Sequence, residues 1–240
     1  MRRSRAGGPE RSKGMGSMRY VILGRGGHAR CVLDSLRRAV ALMRIGGNEY
    51  EIGDATDVET NAESAAYSHT GAFRLVGTDE SLVPSDDLLL VNGLGKLGVR
   101  KEIYEKMTGR GFVFAGVVDP MAIIADDVIV SFGCYVGPGA VVRPGCMVGE
   151  NTLIDGHAFL DHDVRVGAHC HIAPGAVLSG HASVGSWVLV GVGAVVLPGV
   201  VVGQGAVVGA GAVVIRNVPD FATAIGVPAR MLDRKSLRGA

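Results

Sequence analysis

The sequence predicts an α/β N-terminal domain, a small Rossmann-like parallel sheet with helices on it, followed by an all-β parallel β-helix. Three observations carry this prediction. The first half alternates apolar runs of strand length with segments of helical spacing. From Pro120 onward the chain repeats with a period of six residues. Glycine is far over-represented, at 37 of 240 residues with only 9 prolines and no Gly-X-Y period, which calls for many tight turns and argues against collagen or disorder.

Composition narrows the function classes. A hydrophobic fraction of 48% supports a buried core, and the length allows one large or two modest domains. The net charge of +1 gives no global field to attract nucleic acid or an anionic membrane. The apolar runs are interrupted well before the roughly 18 residues that a membrane span needs. The expectation is a cytoplasmic protein with no nucleic-acid partner and no membrane insertion. Cys31, Cys134, Cys146 and Cys170 lack paired close spacing, so neither a disulfide framework nor a zinc ribbon is suggested.

Along the chain, residues 1–17 are basic and turn-rich without the apolar stretch of a signal peptide, and read as a disordered extension with Met18 as a candidate start. MRYVILG (18–24) is a short strand running into a Gly-rich turn, and HARCVLDSLRRAVALM (28–43) has helical spacing. DLLLVNG (87–93) reads as a second buried strand, VRKEIYEKMTGRG (99–111) as a helix closed by glycine, and FVFAGVV (112–118) as a third strand. Residues 46–75 are polar and poorly periodic, and their pattern places no element. Residues 18–119 are therefore assigned to the α/β domain, 120–216 to the β-helix and 217–240 to a C-terminal tail.

The repeat is strict. At intervals of six from Ile124 to Val214, sixteen positions are all Val, Ile or Leu, and the residue two before each is Ala, Cys, Val or Thr. Such a period marks a solenoid whose coils stack to bury one continuous core. An ordinary Val-rich sandwich would not keep period six. Three hexapeptides make a triangular coil of 18 residues, so sixteen repeats give slightly more than five coils, or roughly 24 Å of strands spaced about 4.8 Å apart. The Pro-Gly pairs at 138, 144, 174 and 198 fall two and three places after an inward aliphatic residue, which makes those places the corners.

On this frame each polar residue has a direction. His162 follows inward Leu160 by two places, at a corner, and Gly180 lies one coil above it. His171 precedes inward Ile172 and points outward, Cys170 occupies a small inward slot, and His157, His169 and His181 take a corner place with no specific chemical demand. A metal site built from His162, His169 and His171 is disfavoured, because the first two sit on different corners. An imidazole with an ordinary pKa near 6.5 suits proton removal in acyl transfer, and a neighbouring backbone N–H suits the oxyanion. GRGGHA (24–29), between a strand and a helix, fits the loose pattern Gly-x-Gly-x-x-Ala and can hold a phosphate on its N–H groups. No clear acidic residue ends a second strand about twenty positions on, which weakens a nicotinamide-cofactor reading.

The hexapeptide run resembles the left-handed β-helix acyltransferases, and the handedness comes from that resemblance. VILGRGGHARCVLDSL, VNGLG, VVDPMAIIA, LDHDVRVGAHCHIAPGAVLSG and AIGVPARML, in this order, resemble the sugar O-acyltransferases of the sialic acid O-acetyltransferase type. That family includes N-acetyltransferases acting on nucleotide-linked amino sugars such as bacillosamine and perosamine. The junction reads Asp119-Pro120 where the family usually has His-Pro.

The resemblance implies acetyl-CoA as acyl donor, no metal, a nucleotide-sugar or sugar acceptor and a homotrimer with the active site between neighbours. It makes His162 the catalytic base, Asp163 the acid that orients it, and His171 and Gly180 contacts to the thioester end of acetyl-CoA. Val192 and Ala210 match positions of the pantetheine groove, and Gly26, Gly27 and His28 positions that hold the nucleotide sugar. Arg25 and Asp54 are further candidates around that nucleotide. N-acetylation of a nucleotide-linked amino-deoxysugar for glycan or polysaccharide synthesis is the expected activity. O-acetylation of sialic acid or of a polysaccharide hydroxyl needs the same base and donor. A non-catalytic nucleotide-sugar-binding protein and a dinucleotide-dependent enzyme are the alternatives from other classes.

Overall fold

The computed structural model describes residues 18–44, 50–57 and 74–232. Residues 1–17 lie outside it, as do most of the unassigned 46–75 segment and residues 233–240.

The first part is β1 (Met18–Leu23), α1 (Gly27–Arg44), β2 (Tyr50–Asp57), β3 (Arg74–Thr78), β4 (Leu88–Asn92), α2 (Leu97–Gly109) and β5 (Val113–Phe114). The strands form one parallel sheet in the order β3-β2-β1-β4-β5. The β1–β4 neighbourhood is the topological switch, where ligands bind at the carboxyl ends of strands in open α/β sheets. Alternation along β1 divides the core. Val21 and Leu23 pack with Leu90, Ile103, Met107 and Phe114 on the α2 side. Ile22 faces the α1 residues Ala29, Val32, Leu33 and Leu36.

Two expectations change here. The segment 46–75 carries two strands, the whole of β2 and the start of β3, so the sheet has five strands and not three. Period-two reading failed because the ladder between β1 and β2 shifts register at Tyr20/Val21 and that between β2 and β3 at Ala55/Thr56, which breaks the alternation a sequence pattern relies on. The run FVFAGVV is also not one strand. β5 belongs to the α/β sheet, whereas β6 (Val117–Val118) pairs with Tyr135–Val136 as the first rung of the solenoid. Ala115-Gly116 separates them.

From β6 the chain climbs in three parallel sheets with an 18-residue register, for example Leu153 opposite His171 and Leu160 opposite Leu178. Naming the faces by their outward residues, the first carries Val117, Tyr135, Leu153, His171 and Leu189, the second Ile123, Val141, Phe159 and Val177, and the third Ile129, Met147, Arg165 and Ser183. The inward aliphatics and the small residues two before them are buried together from Cys134 to Val218. The solenoid makes about six turns, more than sixteen repeats imply, because it begins one rung earlier at β6. At the other end the 217–232 segment, expected as a tail, closes the last rung: Thr223 pairs with Val207 across a coil shortened to 16 residues, and Arg230–Met231 folds back antiparallel.

The third place after the inward aliphatics from Val130 to Val208 is left-handed backbone, with φ between +52° and +60° at Asn151, His157, Asp163, His169, His181 and Trp187 and glycine at the others. This conformation costs an L-residue roughly 1–2 kcal/mol, with Asn, Asp and His tolerating it best. The corner histidines therefore meet a conformational demand that the repeat alone did not reveal.

The α/β part docks on the lower rungs of the first face, where the outward Val117, Tyr135 and Leu153 are buried in the α1 core. Three polar clusters fix the docking. Asp119, fully buried at the junction, accepts from Ser35 Oγ (2.5 Å), from Arg38 Nε (3.1 Å) and Nη2 (2.5 Å), and from the Met121 N–H (2.9 Å). Burial raises its carboxyl pKa, but the bonds from Arg38 and Ser35 outweigh that and leave it below the usual carboxylate range. Arg100 is also buried, and donates to the carbonyls of Asn92, Leu94, Gly133 and Asn151. Asn92 Nδ2 donates to Asn151 Oδ1 (3.1 Å), and Asn151 Nδ2 lies 2.9 Å from His169 Nδ1. No helix among the described residues is long and apolar enough to cross a membrane.

Candidate active site

The corner between the second and third faces holds His162. Asp161 Oδ1 accepts the His162 backbone N–H (2.8 Å), pinning the turn, and Arg143 Nη1 lies 3.3 Å from the same oxygen. His162 Nδ1 is 2.9 Å from Asp163 Oδ2, and the two side chains are 49% and 52% exposed. With Nδ1–H donating to the carboxylate, the neutral ring carries its free lone pair on Nε2. That hydrogen bond is also the main reason the Asp163 carboxyl stays below its ordinary pKa.

Nε2 faces Gly180. A Cβ built on Gly180 would stand 2.7 Å from Nε2 and 2.8 Å from Cε1, so a side chain there would occupy the space of the imidazole. The amides on either side are committed, Ser179 to the Val196 carbonyl and His181 to the His162 carbonyl, which holds the Gly180 peptide at the corner. The expected stacking of Gly180 over His162 is therefore what the chain adopts.

The other expected residues lie elsewhere on the chain. His171 stands on the first face, at the upper rim of the docked α/β part, with Nε2 2.7 Å from Asp155 Oδ2 and both side chains largely buried. Val192, exposed, and Ala210 follow inward Val190 and Val208 by two places on the edge between the first and second faces. The His162 edge is the one opposite the first face. A single chain thus brings His162, Asp163 and Gly180 together and sets His171, Val192 and Ala210 apart from them.

The Gly-rich turn sits at the switch between β1 and β4. Cβ atoms built on Gly26 and Gly27 meet nothing within 4 Å, so the start of α1 is unobstructed, whereas one on Gly93 would come within 2.7 Å of Ile22 Cγ2 and 2.9 Å of Ala29 Cβ. Glycine at 93 is what lets β4 end against β1 and α1. The His28 ring packs edge-on against Tyr135 with centroids 5.4 Å apart. Burial pushes its pKa down to about 4, opposed by the Asp155 charge and assisted by Arg100 and His171. Its Nε2 is shielded and has no hydrogen-bond partner among the described residues. His28, Asp155 and His171 thus form a second polar cluster below the turn. Arg25 is partly buried, and the side chain of Asp54, in β2, lies outside the described residues.

Asp155 escaped the sequence reading, although it had a signal: it occupies the place after an inward aliphatic where Gly recurs at 137, 149, 167, 185 and 191. His169 is tied to Asn151 at another corner, so His162, His169 and His171 do not converge. The solenoid thiols are buried, with Cys170 pushed up to about 12 and Cys134 to about 11 by burial, and supply no nucleophile at neutral pH.

Residues 145–180, which span this corner, match the bacterial transferase hexapeptide family (six repeats). The solved structure of PerB from Caulobacter crescentus in complex with CoA and GDP-perosamine is 33% identical, over 92% of this chain and 99% of that one, with a TM-score of 0.77. The acetyltransferase domain of PglB from Neisseria gonorrhoeae in complex with acetyl coenzyme A is 30% identical, over 90% and 100% of the two chains, with a TM-score of 0.77. The chain belongs to the left-handed β-helix nucleotide-sugar acetyltransferases. It is therefore an acyltransferase, and its solenoid takes the left hand of that family. WeeI from Acinetobacter baumannii, at 21% identity and a TM-score of 0.68 over 90% of this chain and 100% of that one, shares the fold.

Proposed function

We propose that the protein transfers the acetyl group of acetyl-CoA to the amino group of a nucleotide-linked amino-deoxysugar used in glycan or polysaccharide synthesis. The observation that carries this reading is the His162 dyad. One ring nitrogen is held by Asp163, and the other faces a position that must lack a side chain. His162 Nε2 takes a proton from the acceptor amine as its nitrogen attacks the thioester carbonyl. Asp163 orients the ring and stabilises the imidazolium, and the Gly180 N–H receives the developing oxyanion. Collapse of the tetrahedral intermediate breaks the C–S bond and expels CoA, whose sulfur takes the proton back from the imidazolium. The acetyl-CoA complex of the gonococcal domain and the CoA and GDP-perosamine complex of PerB support the donor and the acceptor class. Gly26, Gly27 and His28 at the start of α1 are the proposed seat of the acceptor's diphosphate.

The separation of the two residue sets on one chain supports a homotrimer. The outward residues of the second face, Val141, Phe159, Val177, Val195 and Val213, are all apolar. Turning three second faces to a common axis sets the first–second edge of one copy, with Val192 and Ala210 and with His171 near it, beside the second–third edge of the next, with His162. The donor would then lie between copies.

Incubating the protein with acetyl-CoA and a panel of nucleotide amino sugars, with matched hydroxyl sugars as controls, and following thiol release tests the proposal. Release that requires the amino acceptors and is lost in His162→Ala with assembly intact is expected. Absence of release with every acceptor, or turnover by His162→Ala, would refute it.

A further inference from the structure

His181 stands directly above Asp163, at a corner place on which the repeat alone makes no chemical demand. The structure places its ring edge-on to that of His162, with centroids 5.0 Å apart, and its Nδ1 3.8 Å from Asp163 Oδ2. Among the described residues, His162, Asp163 and His181 form a trio whose ligating atoms all lie within 4.8 Å of one another. In a tetrahedral zinc site with bonds of about 2.0–2.1 Å, ligand atoms stand roughly 3.3 Å apart. The pairs at 2.9 Å and 3.8 Å bracket that value, so small side-chain rotations suffice. His181 and Asp163 are held at their corners by left-handed backbone, at φ values of +59° and +60°, and the His181 N–H bond to the His162 carbonyl ties the two coils together. All three side chains are open to water, which leaves a fourth position for solvent.

We infer that His162, Asp163 and His181 form a zinc-binding site whose occupancy inhibits the enzyme. A metal on His162 Nδ1 displaces the proton from that nitrogen. The neutral imidazole then carries its proton on Nε2, and the nitrogen facing Gly180 has no lone pair with which to accept a proton from an acceptor. Zinc also draws the Asp163 carboxylate away from its role in orienting the ring. Zinc here is an inhibitor and takes no part in the reaction. The inhibition rests on His162 being the base, whereas the binding site does not.

The test uses untagged full-length protein and His181→Asn, which suits the left-handed corner. Zinc titrated calorimetrically in the absence of substrates is expected to bind one ion per chain in the wild type, and on the order of tenfold or more weaker in His181→Asn after loss of a ligand. Acetylated product, quantified by mass spectrometry, is expected to fall at least about tenfold under saturating zinc in the wild type, to recover with EDTA, and to stay within roughly threefold in His181→Asn. Equal zinc inhibition of both proteins would reveal sequestration of substrate phosphates or of CoA thiol, and would overturn the inference. So would an absence of stoichiometric binding, or binding that His181→Asn leaves unchanged. Stoichiometric binding with undiminished turnover would overturn the inhibition and, with it, the assignment of His162 Nε2 as base, while the calorimetry stands by itself.

Discussion

Replacing Gly180 by Ala puts the proposed geometry under direct strain. The new methyl would stand 2.7 Å from His162 Nε2, 2.8 Å from Cε1 and 3.3 Å from Cδ2, against an ordinary non-bonded separation of about 3.5 Å. The ring must therefore retreat by roughly 0.8 Å. Gly180 has no left-handed φ, so its own backbone accepts Ala, and the half-exposed imidazole is free to rotate toward solvent. Rotation breaks the 2.9 Å bond from Nδ1 to Asp163. That pair is exposed and adds little to stability, so the melting temperature should fall by no more than about 4 °C. Activity should suffer far more, because a reacting group misplaced by about 1 Å costs on the order of 10²-fold. Steady-state turnover of acetyl-CoA with a nucleotide amino sugar, read beside a thermal melt, is the assay. Gly98→Ala, whose Cβ meets nothing within 4 Å, is the control. Turnover of Gly180→Ala within about threefold of wild type would refute the placement of the base.

Three further outcomes follow from the docking interface and the buried histidine. Asp119→Ala removes the acceptor that Ser35 and Arg38 share at the junction, and should lower unfolding stability by about 2 kcal/mol in urea titration, Arg38 being partly solvated. Arg100→Met should cost about 3 kcal/mol, because it strands the carbonyls of Asn92, Gly133 and Asn151 in the interior, and that loss exceeds the relief of a guanidinium pushed down to about 9 by burial. His28 stays neutral in the fold down to about pH 4, whereas the unfolded chain takes up its proton near 6.5. Its contribution is complete above pH 6.5 and is lost as pH falls toward 4, by at most about 3 kcal/mol. The difference between wild-type and His28→Asn urea midpoints, measured from pH 7.5 to 4.5, should shrink across that window.

The solenoid was legible because its physics is local and repeated. Each coil must bury an aliphatic and a small residue at fixed spacing, so one period wrote both the core and the direction of every residue between. That sufficed to set Gly180 over His162 and to send Cys170 inward before any coordinates. The α/β part was less legible where the pairing is irregular: β2 and β3 shift register against their neighbours, and β5 and β6 split one apolar run between two sheets.

The sequence by itself determined the coil, the corner and the dyad, since His162 and Asp163 are adjacent and Gly180 lies one period on. Only the tertiary structure decided which elements meet across long separations. Asp155 joins His171 and the neighbourhood of His28 because α1 docks on the first face, Asp119 becomes a buried anchor because Ser35 and Arg38 reach it, and His171 lies apart from His162 because a triangular coil puts an edge opposite every face. Such contacts depend on how rigid parts pack, and no local pattern encodes them.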